Sequence, residues 1–372
     1  MDWALVAKLV VALSPVVVLL VVFERLDVFR LVSGGSVAAY AAAGAALAAL
    51  SYVSNAHVMD GLPIGFTDYS RYVAPVIEET LKGLIIVGLF AADRVGFKLD
   101  AAIAGFAVGA GFSVFENAYL LTIFPEADLG VWLVRGFGTA VMHGGATALF
   151  AVVTHEFSEH QAHREGRHAR LYPWVFAPGL LVAIAIHSAF NHLPGEPMLA
   201  MLAAMVLIPL TLLAVFSKGG ATAHEWLEHD HEGHARLLAE LREGRFAQTD
   251  EGRALDAIAQ RFPPRIAGEA RAWIELQLTL VLRAEEVLLA HERGEHAQVG
   301  EAERAQFHQL DRLGREIGRA GRHAIQPHLR FSRSDLYELH MLRHRVGSGG
   351  RAGSPAKPQG AVEARLHPDA GP

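Results

Sequence analysis

Up to residue 217 the chain is a succession of apolar stretches, each long enough to cross the hydrocarbon of a bilayer. In that solvent every backbone N–H and C=O must be satisfied within the protein, which leaves α-helices and closed β-barrels as spanning structures. Hydrocarbon roughly 30 Å thick takes about 20 residues of helix but only about 10 of strand. Stretches of this length therefore specify helices. Seven are legible, at about 4 to 23, 31 to 53, 73 to 92, 100 to 124, 130 to 153, 174 to 194 and 196 to 216. The first reads as a retained span, because Lys8 is its only positive charge and no small-x-small cleavage pattern follows it.

The expected fold is all-α: a polytopic membrane helix bundle of about seven spans over residues 1–217, a C-terminal cytoplasmic helical domain over 218–346, and a disordered tail over 347–372. In the second segment apolar residues return at three- and four-residue spacing, as in Trp273, Leu276, Leu280 and Val281, then Val287 and Leu288. Breaks near Gly244, Pro263-Pro264, Gly294 and Pro327 divide it into four or five helices. The tail is rich in Gly, Pro, Ala and Ser and has too few large apolar groups to fold.

Loop charges orient the bundle. Arg25, Arg30, Arg94, Lys98, Arg164, Arg167 and Arg170 follow spans 1, 3 and 5, and Lys218 follows span 7, whereas the other side has little beyond Arg71, Arg135 and Lys8. Lys and Arg accumulate on the cytoplasmic side. The N-terminus is thus expected outside and the C-terminal domain in the cytoplasm of a bacterial inner membrane. The chain has no cysteine, which excludes disulfides, thiolate metal sites and a cysteine nucleophile, and its net charge of -6 gives no nucleic-acid footprint.

Carboxylates and imidazoles at Glu78, Glu79, Glu116, His143 and His187 lie inside these apolar stretches. A charge at the centre of a membrane helix costs roughly 2.5 to 3.5 kcal/mol on the insertion scale, so residues of this kind mark function by default. Counted along the expected spans, Glu78, Glu79, Glu116 and His187 lie roughly 8 to 12 Å below the outer surface and His143 at roughly 20 Å. Lys82 is one helical turn from both Glu78 and Glu79 and is a charge partner for them. His187 and Asn191 share a helix face, as do His143 and Thr147, and Phe112 and Glu116. Gly105 and Gly109 form a G-x-x-x-G that brings this span close to a neighbour.

Buried carboxylates beside imidazoles supply what hydrolysis needs, namely a base for water, a proton relay to a leaving amine, and donors for an oxyanion. Two near-matches to the zinc protease pattern H-E-x-x-H, at His155 to His160 and His224 to His229, place the second histidine one residue late. That takes it off the ligand face. With His231 and His234 nearby, the second patch reads as a solvated polar helix start rather than a metal or proton sensor.

Four motifs in order carry a family resemblance. Glu78-Glu79-Thr80-Leu81-Lys82 resembles E-E-x-x-K, Gly111-Phe112-Ser113-Val114-Phe115-Glu116-Asn117 resembles G-F-x-x-x-E-N, and His187-Ser188-Ala189-Phe190-Asn191 resembles H-x-x-x-N of the PrsW family. His143-Gly144-Gly145-Ala146-Thr147 is similar to a further histidine segment of that family, and the resemblance covers about residues 70 to 195. It implies an intramembrane endopeptidase, related to the CAAX prenyl protease and bacteriocin-processing group, that cleaves a membrane protein substrate such as an anti-sigma factor. The family is labelled metalloprotease, while the prenyl protease relatives are described as glutamate-type enzymes. Those relatives end the second motif in histidine, where this chain has Glu116.

The expected catalytic set is Glu78, Glu79, Glu116, His143, His187 and Asn191, with Glu79 favoured over Glu78 as the base. A divalent metal such as zinc, if present, is expected on Glu79, Glu116, His143 and His187. The alternatives are a proton or cation pathway built on the same Glu and His residues, or a non-catalytic membrane scaffold. A relay should continue polar residues to the cytoplasmic face, yet the inner halves of spans 3, 4 and 6 are apolar. No inverted repeat of the transporter kind is evident either.

Overall fold

The computed structural model describes residues 3–26, 32–164, 171–193, 196–260, 262–293, 295, 297–325, 329 and 331–347. Among these residues all regular structure is helical. The first seven long helices are α1 (Trp3–Leu26), α2 (Gly34–Gly61), α3 (Ala74–Ala91), α4 (Lys98–Ile123), α5 (Ala140–Arg164), α6 (Ala177–Asn191) and α7 (Pro197–Arg242). Six are long and apolar enough to cross a membrane; α3 is the exception. Its 18 residues carry three charges, Glu78, Glu79 and Lys82. The stretch expected at 73 to 92 is thus a helix of membrane length that owes its lower apolarity to the candidate site.

The centre of the bundle is the pair α4 and α5, most of whose residues are buried. Small residues make this possible. A Cβ at Gly105 would lie 2.5 Å from the Thr147 carbonyl oxygen, and one at Gly109 would strike the carbonyl of His143. The G-x-x-x-G face therefore sets α4 directly on the turn of α5 that carries His143. Gly111 makes the same close approach to Ala41 of α2.

Outward faces are apolar. On α7, Leu199, Leu202, Val206, Leu210 and Leu213 recur every three or four residues and are all exposed, the stripe that a lipid-facing helix presents. The protein is an integral membrane protein.

α7 continues unbroken through residue 217, so the expected boundary falls inside a 46-residue helix. At 1.5 Å per residue it is about 70 Å long, roughly twice the hydrocarbon thickness. Its far end joins a second bundle with α8 (Asp250–Ala259), α9 (Pro264–Glu292), α10 (Glu301–Ile325) and α11 (Arg333–Gly347). Thr249 starts α8 by accepting the Gly252 N–H at 3.0 Å. Phe307, Leu310, Leu313 and Ile317 of α10 pack with Trp273, Leu280 and Val281 of α9 in a core of their own. Each such side chain contributes about 1.5 to 3 kcal/mol when fully buried from water. The breaks expected at Gly294 and Pro327 lie outside the described residues, as does the expected tail beyond Gly347.

The second bundle grips the connection between α3 and α4. Arg333 donates to the Phe90 carbonyl and pairs with Asp93 at 3.2 Å, and Ser334 donates to the Gly96 carbonyl at 3.1 Å. Tyr337 covers Gly96, where a side chain would clash with its ring.

Candidate active site

The site is assembled by two helices that each contain a π-helical turn just ahead of the residues they deliver. Residues Tyr69–Val73 form one, closed by the Ala74 N–H on the Tyr69 carbonyl, and lead into Glu78 and Glu79. Residues Arg135–Thr139 form the other, closed by the Ala140 N–H on the Arg135 carbonyl, and lead into His143. One extra residue in a turn rotates everything after it by about 100° relative to a regular α-helix, which is why such turns recur at functional sites.

The start of the first of these helices also corrects the expected depth of its carboxylates. Helical structure leading into α3 begins at Phe66, not at residue 73, so Glu79 is well inside it and level with His143. The carboxylates and the imidazole lie in one layer.

Glu79 is the hub and is fully buried. Its Oε1 accepts from Lys82 Nζ at 2.5 Å and from His187 Nδ1 at 2.8 Å, and lies 3.9 Å from His143 Nδ1. Its other oxygen, Oε2, is buried with no hydrogen-bond partner. Lys82 is equally buried, with Nζ 2.9 Å from His143 Nδ1 and 4.5 Å from the centre of the Phe112 ring. An ammonium has only protons to offer, so His143 Nδ1 accepts from it and His143 Nε2 carries the proton toward Glu116 Oε2, 3.2 Å away. The two imidazoles meet edge to face with centroids 4.7 Å apart.

Glu116 stands behind His143, with its Oε1 paired to Arg135 at 3.0 Å. Arg135 also donates to Asn117 Oδ1 at 2.9 Å, which ties the E-N pair of α4 to the second π turn. On the other side Glu78 Oε1 accepts from Asn55 Nδ2 at 3.1 Å, and Asn55 Oδ1 accepts from the Tyr69 hydroxyl at 2.8 Å. Glu78 Oε2 faces His187 Nε2 at 3.9 Å.

Of the six expected residues, five thus converge: Glu78, Glu79, Glu116, His143 and His187. Asn191 is placed differently. Its amide donates to the Ser70 carbonyl at 2.8 Å, and Ser188 donates to the Arg71 carbonyl at 2.7 Å, so both satisfy backbone oxygens of the first π turn. Thr147 bonds back to the His143 carbonyl at 2.9 Å within α5.

Asn55, Tyr69 and Arg135 complete the surroundings and were not singled out by sequence reasoning. Arg135 carried a usable signal, since it is a charge inside the apolar stretch 130 to 153. A cavity of about 550 Å³, lined chiefly by apolar groups such as Ile123, Phe124 and Trp132, includes this arginine in its lining.

Whether these residues suit a metal can be judged from donors and tautomers. Glu78, His143 and His187 each offer one atom, all within 4.8 Å of one another. Two imidazoles and a carboxylate are the set that catalytic zinc takes. His187 gives its Nδ1 proton to Glu79, which leaves the Nε2 lone pair facing Glu78, as in carboxylate-oriented histidine ligands. His143 joins only by exchanging Lys82 for the ion at Nδ1. The set fits, and it differs from the expected one: Glu78 is the carboxylate within reach, while Glu79 Oε1 is held by Lys82 and His187 and Glu116 is behind His143.

The remaining histidine patches separate from this centre. His155 is buried and bonded to the Gly96 carbonyl at 2.9 Å, and His160 is exposed. The side chains of His224 and His229 lie outside the described residues.

No curated protein and no solved structure matches the chain. Residues 28–216, just over half of it, match the family described as PrsW family intramembrane metalloprotease. That stretch contains every residue of the cluster, and the chain belongs to the PrsW family of intramembrane metalloproteases.

Proposed function

We propose that this cluster hydrolyses a peptide bond of a membrane protein substrate inside the bilayer, with Glu79 as general base. The observation that carries the reading is the division of labour within that one carboxylate: Oε1 is fixed by Lys82 and His187, and Oε2 has no partner. An oxygen held in place yet unoccupied is suited to take a proton from water. Lys82 is the charge partner of this carboxylate, and Glu116, anchored by Arg135, orients His143. Asn191 acts on the π turn that aims Glu78 and Glu79.

A divalent metal, if bound, would be held by Glu78, His143 and His187 and would supply Lewis-acid polarisation of the scissile carbonyl and of water. His187 Nε2 is otherwise the group placed to carry a proton to the leaving amine. The apolar cavity that Arg135 helps to line is suited to an extended apolar segment. The PrsW family resemblance implies a membrane regulator of the anti-sigma type as the substrate class. The second bundle lies in the cytoplasm and the N-terminus outside, as the loop charges require.

The test is direct. The purified protein and its Glu79→Gln and His187→Ala variants are mixed with a panel of single-span peptides in vesicles, with and without chelator, and new termini are sought by mass spectrometry. Cleavage by the parent alone is expected. Intact peptides with all three proteins, or equal cleavage by all three, would reject the reading; loss with chelator and recovery with zinc would assign the metal.

A further inference from the structure

The second bundle contains a buried constellation that the membrane centre does not use. His234 of α7, Glu285 of α9 and Asp335 of α11 are all buried, and each offers a ligand atom within 4.8 Å of the others. Glu285, fully buried, accepts His234 Nδ1 on one oxygen at 2.7 Å and His231 Nδ1 on the other at 3.0 Å. His234 Nε2 lies 3.5 Å from Asp335 Oδ2. Instead of a solvated helix start, this part of α7 turns its imidazoles inward.

We propose that His234, Glu285 and Asp335, with His231 on the shared carboxylate, form a binding site for a zinc-class divalent cation in the second bundle, separate from the membrane centre.

Three observations carry it. The donors come from three helices, so an ion there would join elements that are distant in sequence. The chemistry is mixed imidazole and carboxylate, which suits zinc and its neighbours; calcium and magnesium favour oxygen ligands. Among the described residues, the ion-pair partners of Glu285 and Asp335 are imidazoles alone.

A further observation is independent of the donor geometry. Glu338, one turn beyond Asp335 on α11, is 1% exposed, and its Oε2 has no hydrogen-bond partner. Its charged neighbours are Asp335, Glu285 and Asp230. An unmet buried acceptor costs about 1 to 3 kcal/mol, and a nearby cation is one way of meeting it. A cation with two positive charges balances such a group.

The position gives the site a consequence. Arg333 and Ser334, immediately before Asp335, are the residues that grip the α3–α4 connection at Phe90, Asp93 and Gly96. An ion joining α11 to α7 and α9 fixes that grip, and with it the end of the helix bearing Glu78 and Glu79.

The experiment uses the full chain in detergent, stripped with chelator, passed through a desalting column and titrated with zinc chloride. To isolate this site from the membrane one, the parent carries Glu78→Gln and His187→Ala. Bound zinc is measured by atomic emission and by competition with a chromogenic chelator. About one equivalent is expected, with Glu285→Gln or His234→Gln weakening it at least about tenfold by loss of a ligand or its partner. Undiminished binding in both added variants, or no binding in the isolating parent, overturns the proposal. X-ray absorption on the zinc-loaded isolating parent needs no further substitution. Imidazole scattering from at least one histidine supports the assignment, and a shell of oxygen alone refutes it.

Discussion

Replacing Lys82 by methionine keeps the length of the side chain and removes its charge, leaving the Glu79 carboxylate without its shortest contact. At 2.5 Å the pair attracts by about 7 kcal/mol at an effective dielectric of about 20. Both groups are fully buried, and desolvation costs several kcal/mol per ion, so the intact pair nets little. Breaking it is another matter. Removing one partner strands the other charge, at a cost of about 3 to 5 kcal/mol. Lys82→Met and Glu79→Gln should therefore each destabilise by about that amount, while the double variant, with no charge left to strand, should lose far less than the sum. Reversible unfolding in mixed micelles, followed by circular dichroism, gives the four corners of the cycle. A coupling of about 2 kcal/mol or more is expected for groups in direct contact. Additive effects, or a Lys82→Met cost under about 1 kcal/mol, would refute a dry, mutually neutralised pair.

Further expectations follow from neighbouring contacts. Gly109→Leu drives a side chain into the His143 carbonyl and should lower turnover by about 100-fold, as misplacements of about 1 Å do; Gly88→Leu, at a position with open space, should leave turnover near the parent value. Arg135→Gln releases Glu116 and so loosens His143, which should reduce kcat about 10- to 100-fold with KM little changed; a change in KM alone would place Arg135 in substrate binding. In chelator-treated protein, burial lowers the pKa of His234, but the Glu285 hydrogen bond and the Asp335 charge outweigh it and raise the value to about 9, against 6.5 unfolded. Stability from this group is therefore complete below pH 6.5 and lost as pH rises through 9. Melting of the second bundle should fall over that window in the parent and not in His234→Gln.

Helix type and the residues of the buried cluster were legible because lipid permits few backbone solutions and penalises each ionisable residue heavily. Glu78, Glu79, Glu116, His143 and His187 stand out against such a background without any knowledge of contacts. Their mutual positions were not legible. A π turn is one residue of backbone register with no composition of its own, so neither Tyr69–Val73 nor Arg135–Thr139 shows in a periodicity, and the helical start at Phe66, ahead of the apolar stretch, left Glu78 and Glu79 too shallow relative to His143. Asn191 shows the complementary limit. Its spacing from His187 places it on the right face, but the nearest unmet acceptor there is the Ser70 carbonyl. His234 was hidden for another reason: a polar helix that passes from membrane to water resembles a solvated one until its partners, from α9 and α11, arrive from far along the chain.

The central claim is that the unpartnered oxygen of Glu79 delivers water to a peptide carbonyl within the membrane. Cleavage in vesicles prepared with oxygen-18 water tests it most directly, by mass spectrometry of the new C-terminus. The account predicts one heavy oxygen in that carboxylate with the parent protein and no product with Glu79→Gln. Product formed by Glu79→Gln at the parent rate, or product free of label, would contradict it.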